Sequence, residues 1–117
     1  MHELSYVLDI IDQAANIKEK EKAKKIKQIT VDVGEMSGVV PYYLDKYFKE
    51  SIKDTFLENT ELKIFEKEVI IKCENCGSEY HPEAKNNYCC PDCNGRAGKL
   101  IQGKGVIIKN IVIEDED

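Results

Sequence analysis

The sequence predicts an α+β fold, in which two helices pack on a three-stranded sheet and a small cysteine-rich knuckle module is inserted before the last strand. Two observations support this prediction. Segments with helical periodicity alternate with strand-like segments, and two Cys-x-x-Cys pairs interrupt the chain before its last strand-like segment. The corresponding domain prediction assigns residues 1–71 and 104–117 to the α+β domain and residues 72–103 to the inserted module.

The first helix is predicted near the amino terminus. Apolar residues recur every three or four positions over residues 3–18, which is the periodicity of an amphipathic helix. Residues 18–27 follow and are rich in lysine and glutamate. We interpret them as a solvated helix end and a connecting loop, with a basic docking face as the alternative.

A strand, a turn and a second helix are predicted next. Residues 29–33 alternate between β-branched apolar and polar side chains, which indicates a strand. Residues 34–38 begin and end with glycine and predict the turn that leaves it. Pro41 suits the first position of a helix, and apolar residues at helical spacing extend that helix to about residue 57.

Two further strand-like segments flank the cysteine pairs. Leu62 and Ile64 begin an alternation that changes phase before Ile71, and a β-bulge at residues 66–68 would explain the change. Residues 106–113 are apolar on both faces of a strand. We therefore expect this last strand to lie in the centre of the sheet.

Composition excludes several classes of protein. The formal net charge of −5 opposes binding to nucleic acid or to anionic lipid. No apolar run is long enough for a membrane span, and the first residues do not have the pattern of a secretory signal. The sequence thus predicts a cytoplasmic protein, and in a reducing compartment clustered cysteines are typical of metal ligands rather than disulfides.

The cysteine pairs have the spacing of a closed zinc site. Cys73 and Cys76 are separated by 13 residues from Cys90 and Cys93, so that two tight turns can bring four thiolates to one ion. Gly77 and Asn94 follow the two pairs at equivalent places and tolerate the positive φ that such turns require. The prediction is a structural Zn(II) site; a rubredoxin-like iron site with redox activity and a disulfide framework are the alternatives.

Two residues near this site have open roles. Cys89 precedes a predicted ligand and is expected to be a small thiol outside the site, although it is placed to compete with Cys90. His81 is expected to be a surface or hydrogen-bonding histidine; the alternative is that it replaces a thiolate or reaches a metal ion elsewhere.

A second candidate metal site lies at the start of the chain. Met1 supplies an α-amine, and His2 supplies an amide nitrogen and an imidazole, which together can close two chelate rings on one ion. Nitrogen donors in a plane suit Ni(II) or Cu(II), and Glu3 or a water molecule can fill the remaining position. The alternative is an unstructured tail with a lone histidine.

Taken together, these motifs resemble the HypA/HybF family of nickel metallochaperones. The resemblance rests on Met1-His2-Glu3-Leu4-Ser5, on residues 33–39 (Val-Gly-Glu-Met-Ser-Gly-Val), on the two cysteine pairs and on the ending Ile111-Val112-Ile113-Glu114. It covers nearly the whole chain, with the pieces in the same order. Cys89 departs from the usual Cys-Pro-x-Cys pair by adding an adjacent thiol, and the role of His81 stays open.

The resemblance implies a non-enzymatic nickel carrier. The transferred ion would be Ni(II), bound at His2 with the terminal amine and neighbouring backbone nitrogens, and Zn(II) would be structural. Implied partners are a nickel-handling GTPase of hydrogenase maturation and the large subunit of a [NiFe]-hydrogenase, with urease as a further recipient in some relatives. A homodimer is compatible with this role. A zinc-ribbon module that binds protein or nucleic acid and an iron redox protein are the competing functions.

Overall fold

The computed structural model describes residues 3–115 of the chain. In chain order the helices and strands are α1 (Glu3–Glu21), β1 (Ala23–Gly34), α2 (Pro41–Ser51), β2 (Glu61–Lys67), β3 (Ile70–Cys73), β4 (Glu79–Tyr80), β5 (Gly98–Gln102) and β6 (Val106–Asp115). Neither of these helices combines the length and the hydropathy of a membrane span. Two helices with a three-stranded sheet, plus a cysteine knuckle before the last strand, confirm the predicted α+β class.

The described residues form two compact units. The first contains the described residues up to Val33, the segment Val39–Phe65 and those from Val106 onward. The second contains Gly34–Gly38 and Glu66–Gly105. The second unit is therefore larger than the predicted insertion of residues 72–103, because it includes the turn after β1 and the segment before β3.

The first unit is built on an antiparallel pair of long strands. Its sheet has the order β2-β1-β6, and β1 and β6 pair in antiparallel register along most of their length. The periodicity of α1, α2 and β1 directs one face of each element into a common core. The largest buried side chains there are Val7, Ile10, Ile29, Val31, Leu44, Phe48 and Leu57. Complete burial of a side chain such as Phe48 contributes about 2–3 kcal/mol.

The lysine-rich stretch contains the predicted helix end, but the predicted connecting loop is reduced to a single residue. Helix α1 continues to Glu21, and Lys22, with a φ of 52°, is the single residue that connects it to β1. The strand begins early because Ala23 and Ile26 are buried while the lysines between them point to solvent. Buried apolar residues separated by exposed lysines therefore extend the strand through a segment whose charge alone suggests an irregular loop.

The second helix is shorter than predicted. It ends at Ser51, with Ile52 as its C-cap, and the following residues form a series of turns instead of a further helical turn. The Thr55 hydroxyl donates to the carbonyl oxygen of Ile52 over 2.6 Å and accepts from the N–H of Leu57 over 3.1 Å. A threonine that bonds to nearby backbone groups offers an alternative to the helical pattern, which explains the early end.

Two strand predictions are wrong. Strand β6 lies at an edge of the sheet and β1 lies in the centre, so the apolar residues of β6 are not buried on both faces: Ile107 is 61 % exposed. The phase change at residues 66–68 is not a bulge within one strand. It marks the end of β2, and β3 starts a new pairing in a different sheet at Ile70, three residues after Lys67.

The second unit contains a small sheet of its own. Its strand order is β4-β3-β5, with both neighbours antiparallel to β3. The turn over residues 34–38 becomes a 3₁₀ turn, Glu35–Ser37, and the N–H of Met36 donates to the carbonyl oxygen of Gly103 over 2.8 Å. A Cβ on Gly34 would lie 2.4 Å from the carbonyl carbon of Gly103, so this close backbone approach requires glycine.

Candidate metal centre

The four predicted thiolate ligands meet at one point in the second unit. The sulfur atoms of Cys73, Cys76, Cys90 and Cys93 all lie within 4.8 Å of one another. The Cys73–Cys93 and Cys76–Cys90 sulfur pairs are separated by 3.5 Å and 3.6 Å. Four sulfurs at tetrahedral Zn–S distances lie about 3.8 Å apart, so the arrangement has the size of a closed thiolate site.

Two turns with the same hydrogen bonds present these sulfurs. After β3, the N–H of Cys73 donates to Ser78 O over 2.8 Å and the N–H of Gly77 donates to Cys73 O over 3.0 Å. The corresponding bonds of the second turn run from Cys90 to Gly95 (3.0 Å) and from Asn94 to Cys90 (2.8 Å). Gly77 and Asn94 have φ values of 79° and 62°, which confirms the prediction that both turns need a residue tolerant of positive φ.

Neighbouring groups favour a thiolate at some of the sulfurs and oppose it at others. Hydrogen bonds from the hydroxyl and the N–H of Ser78 lower the pKa of Cys76 to about 6. The side chain of Asn75, 3.5 Å from the Cys93 sulfur, lowers the pKa of Cys93. Burial raises the pKa of Cys90 to about 11. A shared cation would allow all four groups to be deprotonated together, and soft sulfur donors suit zinc or iron.

Ser78 also links the two knuckles. Its hydroxyl donates to Asp92 Oδ2 over 2.5 Å, and this carboxylate belongs to the second Cys-x-x-Cys pair. A hydroxyl has only one hydrogen to donate, so this bond competes with donation to the Cys76 sulfur. The hydroxyl can therefore donate to Asp92 or to Cys76 at one time, whereas the N–H of Ser78 can donate to Cys76 in both cases.

Cys89 and His81 lie outside the cluster of four sulfurs among the residues that the structure describes. Cys89 is buried, and its sulfur is 3.5 Å from the carbonyl oxygen of Asn87. The Nδ1 atom of His81 is 2.8 Å from Val69 O, so Nδ1 carries the proton and donates, since a carbonyl can only accept. This bond raises the pKa of His81, and the carboxylates of Glu35 and Glu68, each 3.8 Å from Nδ1, act in the same direction.

Of the three residues predicted to bind nickel, the structure describes only Glu3. Met1 and His2 lie outside the described residues. Glu3 is the first residue of α1, and its carboxylate accepts a hydrogen bond of 2.9 Å from the N–H of Val40, the N-cap residue of α2. That bond lowers the pKa of Glu3 and keeps the group ionised.

Two carboxylate contacts were not predicted from the sequence. Nothing in the sequence singles out Val40, and Glu35 lies in a segment that predicts only a turn. The Glu35 carboxylate accepts from the N–H of Val69 over 2.8 Å, and Val69 O in turn accepts from His81. Glu3 and Glu35 both reach partners more than thirty positions away, at distances in sequence that no local periodicity can indicate.

The chain matches a known protein family and curated relatives along its length. The family model described as hydrogenase/urease nickel incorporation, metallochaperone, HypA matches residues 1–113. The hydrogenase maturation factor HypA of Wolinella succinogenes is 32 % identical over 117 residues, which cover all of this chain and 98 % of that protein. The factor of the same name from Methanocaldococcus jannaschii is 35 % identical over 124 residues, with both chains fully covered.

Solved structures share the fold. The solution structure of the nickel metallochaperone HypA from Helicobacter pylori superposes with a TM-score of 0.74 at 23 % identity, covering 99 % of this chain and all of the other. A second solution structure of a HypA protein gives a TM-score of 0.77 at 23 % identity and covers 99 % of this chain and 98 % of the other. With its four-sulfur cluster and its match over residues 1–113, the chain belongs to the HypA family of nickel-incorporation metallochaperones.

Proposed function

We propose that this protein binds Ni(II) at its amino terminus and delivers it during maturation of a [NiFe]-hydrogenase, with urease as a further recipient. Membership of the HypA family over residues 1–113 is the observation that supports the proposal most directly. The role is that of a carrier and not of an enzyme. The protein would work in the cytoplasm with a nickel-handling GTPase and the hydrogenase large subunit, as a monomer or a homodimer.

The proposed nickel ligands are the amine of Met1 and the amide and imidazole nitrogens of His2. A helix leaves its first N–H groups without an intrahelical acceptor, so a metal that displaces the amide proton of His2 breaks no helical hydrogen bond. The helix that follows begins at Glu3. Its dipole disfavours a cation at this end, and the deprotonated amide and the Glu3 carboxylate offset that effect.

Glu3 has two roles to reconcile. Its carboxylate already accepts a hydrogen bond from Val40, and a carboxylate has a second oxygen and further lone pairs to offer. Glu3 can therefore contribute negative charge near nickel while it stays bonded to the start of α2. Few ligands and one shared carboxylate favour a site that releases its ion readily.

We further propose that Zn(II) occupies the cluster of Cys73, Cys76, Cys90 and Cys93 and remains there. Four sulfurs leave no open coordination position, which is typical of structural zinc. The ion would supply a cross-link between two turns that otherwise have little buried apolar surface around them. Its binding free energy then becomes folding free energy for the second unit.

A nickel titration tests the amino-terminal site. The untagged protein is compared with a version that carries a few residues before Met1, which removes the free amine and keeps every side chain. We expect the extended protein and the His2→Ala variant both to lose the nickel absorption spectrum, with zinc content and folding unchanged. Equal nickel affinity in the extended protein would contradict the proposal.

A further inference from the structure

The lysine-rich segment of residues 18–27 is a second surface feature, separate from both metal sites. It contains six lysines and two glutamates in a protein whose net charge is −5. The structure places all of these residues except the connecting Lys22 on the last turn of α1 and the start of β1, so five of the six lysines belong to regular elements of the first unit. A concentrated positive charge on an acidic protein marks a surface for a negatively charged partner.

An exposed aromatic ring lies among these lysines. A cleft of about 220 Å³ is lined by Lys25, Lys27, Thr55 and Phe56. A second cleft, of about 350 Å³, is lined by Lys18 and again by Phe56. The two clefts share the Phe56 side chain, which is 42 % exposed. We call the surface formed by these five residues the Phe56 groove.

The lysine ammonium groups of the Phe56 groove are available to pair with a ligand. Lys18, Lys25 and Lys27 form no ion pair with any carboxylate whose position the structure describes, whereas Lys49 and Lys85 do. Thr60 and Ile26 also line the first cleft, and the Thr60 hydroxyl donates to the carbonyl oxygen of Ile26 over 2.7 Å. The groove thus combines an exposed apolar ring with lysine ammonium groups in both clefts.

We propose that the Phe56 groove binds an acidic segment of a partner polypeptide. An aromatic or aliphatic side chain of that segment packs on Phe56, and its carboxylates pair with Lys18, Lys25 and Lys27. A polypeptide suits the groove better than a nucleic acid, because Glu19 and Glu58 also line the clefts and would repel an uninterrupted row of phosphates. The proposal concerns the first unit alone and is independent of nickel binding.

Binding of acidic polymers to the full, zinc-loaded protein tests this proposal. The probes are a fluorescent random copolymer of glutamate and tyrosine, polyglutamate, a copolymer of lysine and tyrosine, and polyuridylate RNA. We expect the glutamate–tyrosine copolymer to bind with the highest affinity, with polyglutamate about tenfold weaker because it lacks the apolar contact. Backbone amide NMR shifts should change at Lys25, Thr55 and Phe56.

Substitutions separate the contributions of charge and ring. Lys25→Gln with Lys27→Gln should weaken binding of the copolymer by about three- to tenfold, and Phe56→Ser by about tenfold. The matched control is Lys99→Gln with Lys104→Gln, two exposed lysines of the second unit, which should change affinity by less than about twofold. Nickel titration of each variant should match that of the unchanged protein.

Four outcomes would overturn the proposal. The first two are no detectable binding of the glutamate–tyrosine copolymer, and equal affinity for this copolymer and for polyglutamate. The third is a loss of copolymer affinity in the Lys99/Lys104 control as large as that in the Lys25/Lys27 variant. The fourth is that polyuridylate binds more tightly than the glutamate–tyrosine copolymer and that its binding depends on Lys25 and Lys27. The last result would identify a nucleic-acid surface instead. None of them bears on the nickel site, because nickel binding is measured separately.

Discussion

The cysteine cluster and the first residue of α1 are held in place by very different amounts of structure. Each knuckle has two internal backbone hydrogen bonds, and a serine–aspartate bond joins one knuckle to the other. Glu3 has one described long-range contact, the bond to the N–H of Val40. This difference is consistent with the proposed roles, in which zinc stays in the cluster and nickel is released from the amino terminus, because release requires ligands that can separate at small cost.

The largest effect is expected from breaking the cluster. Cys90 is completely buried, and Cys90→Ser should abolish stoichiometric zinc and unfold the second unit, since structural zinc contributes about 10–16 kcal/mol of apparent binding free energy. Zinc content by elemental analysis and the amide NMR signals of β3 and β5 provide the measurement.

The adjacent cysteine is the matched control for that experiment. Cys89 is also buried but its sulfur contacts the carbonyl oxygen of Asn87, so Cys89→Ser should keep one zinc per chain and a folded second unit. If Cys89→Ser lost zinc and Cys90→Ser kept it, the ligand would be Cys89, and the assignment to Cys90 would be wrong. The pair of variants therefore decides which of two neighbouring thiols belongs to the site.

A smaller effect is expected where the second unit relies on backbone packing instead of metal. Gly103 has a φ of 94°, and a Cβ there would lie 2.8 Å from the backbone of Glu68 and Val69. Gly103→Ala should lower the free energy of unfolding by about 2–4 kcal/mol, through steric overlap and a strained φ.

Gly105 is the control, because a Cβ on it meets nothing within 4 Å. Gly105→Ala should change the free energy of unfolding by less than about 1 kcal/mol. Urea unfolding of zinc-loaded protein measures both variants. If both substitutions lowered the free energy of unfolding equally, the close approach of Gly103 to Val69 would not explain the loss of stability in Gly103→Ala.

The features predicted well from the sequence are those that depend on neighbouring residues. The spacing of Cys73 and Cys76, with Gly77 after them, predicts a knuckle because the ligands and the turn lie within five residues. Strand order could not be predicted in this way. Residues 106–113 are apolar on both faces, yet they form an edge strand with Ile107 exposed, since side-chain periodicity does not report which strand is the neighbour.

Long-range hydrogen bonds were missed for the same reason. Glu35 accepts from Val69 and Glu3 accepts from Val40, and each pair is separated by more than thirty residues. Glutamate side chains at helix starts and turns are common and solvated in most proteins, so nothing in their local sequence identified these two as partners of distant backbone N–H groups.

Glu3 should contribute to nickel affinity through its charge. Glu3→Gln keeps an oxygen that can accept from Val40 and removes the negative charge, whereas Glu3→Ala removes both. We expect both variants to bind nickel about tenfold more weakly, the size of effect typical of groups that support a metal ligand. Nickel titration by calorimetry measures the affinity.

Amide exchange at Val40 provides the second measurement. Protection of this N–H should be retained in Glu3→Gln and lost in Glu3→Ala, because only the glutamine offers an acceptor. If Glu3→Gln binds nickel as tightly as the unchanged protein, the charge of Glu3 plays no part and its function is to hold the start of α2.

The smallest expected effect is a pH dependence of the second unit that arises from His81. Its pKa is raised above 6.5 in the folded protein, first by the bond to Val69 O and then by Glu35 and Glu68. A raised pKa means that the charged imidazole stabilises the fold, that this contribution is complete below the pKa of the unfolded chain, and that it disappears as pH rises through the folded pKa. The stability advantage of the unchanged protein over His81→Gln should therefore shrink as pH rises above about 6.5. Urea unfolding at fixed zinc occupancy measures it, and Glu35→Gln, which removes one of the carboxylates, should reduce the slope. An advantage that grows with pH would show that the neutral imidazole, donating from Nδ1 to Val69, is the form that the fold prefers.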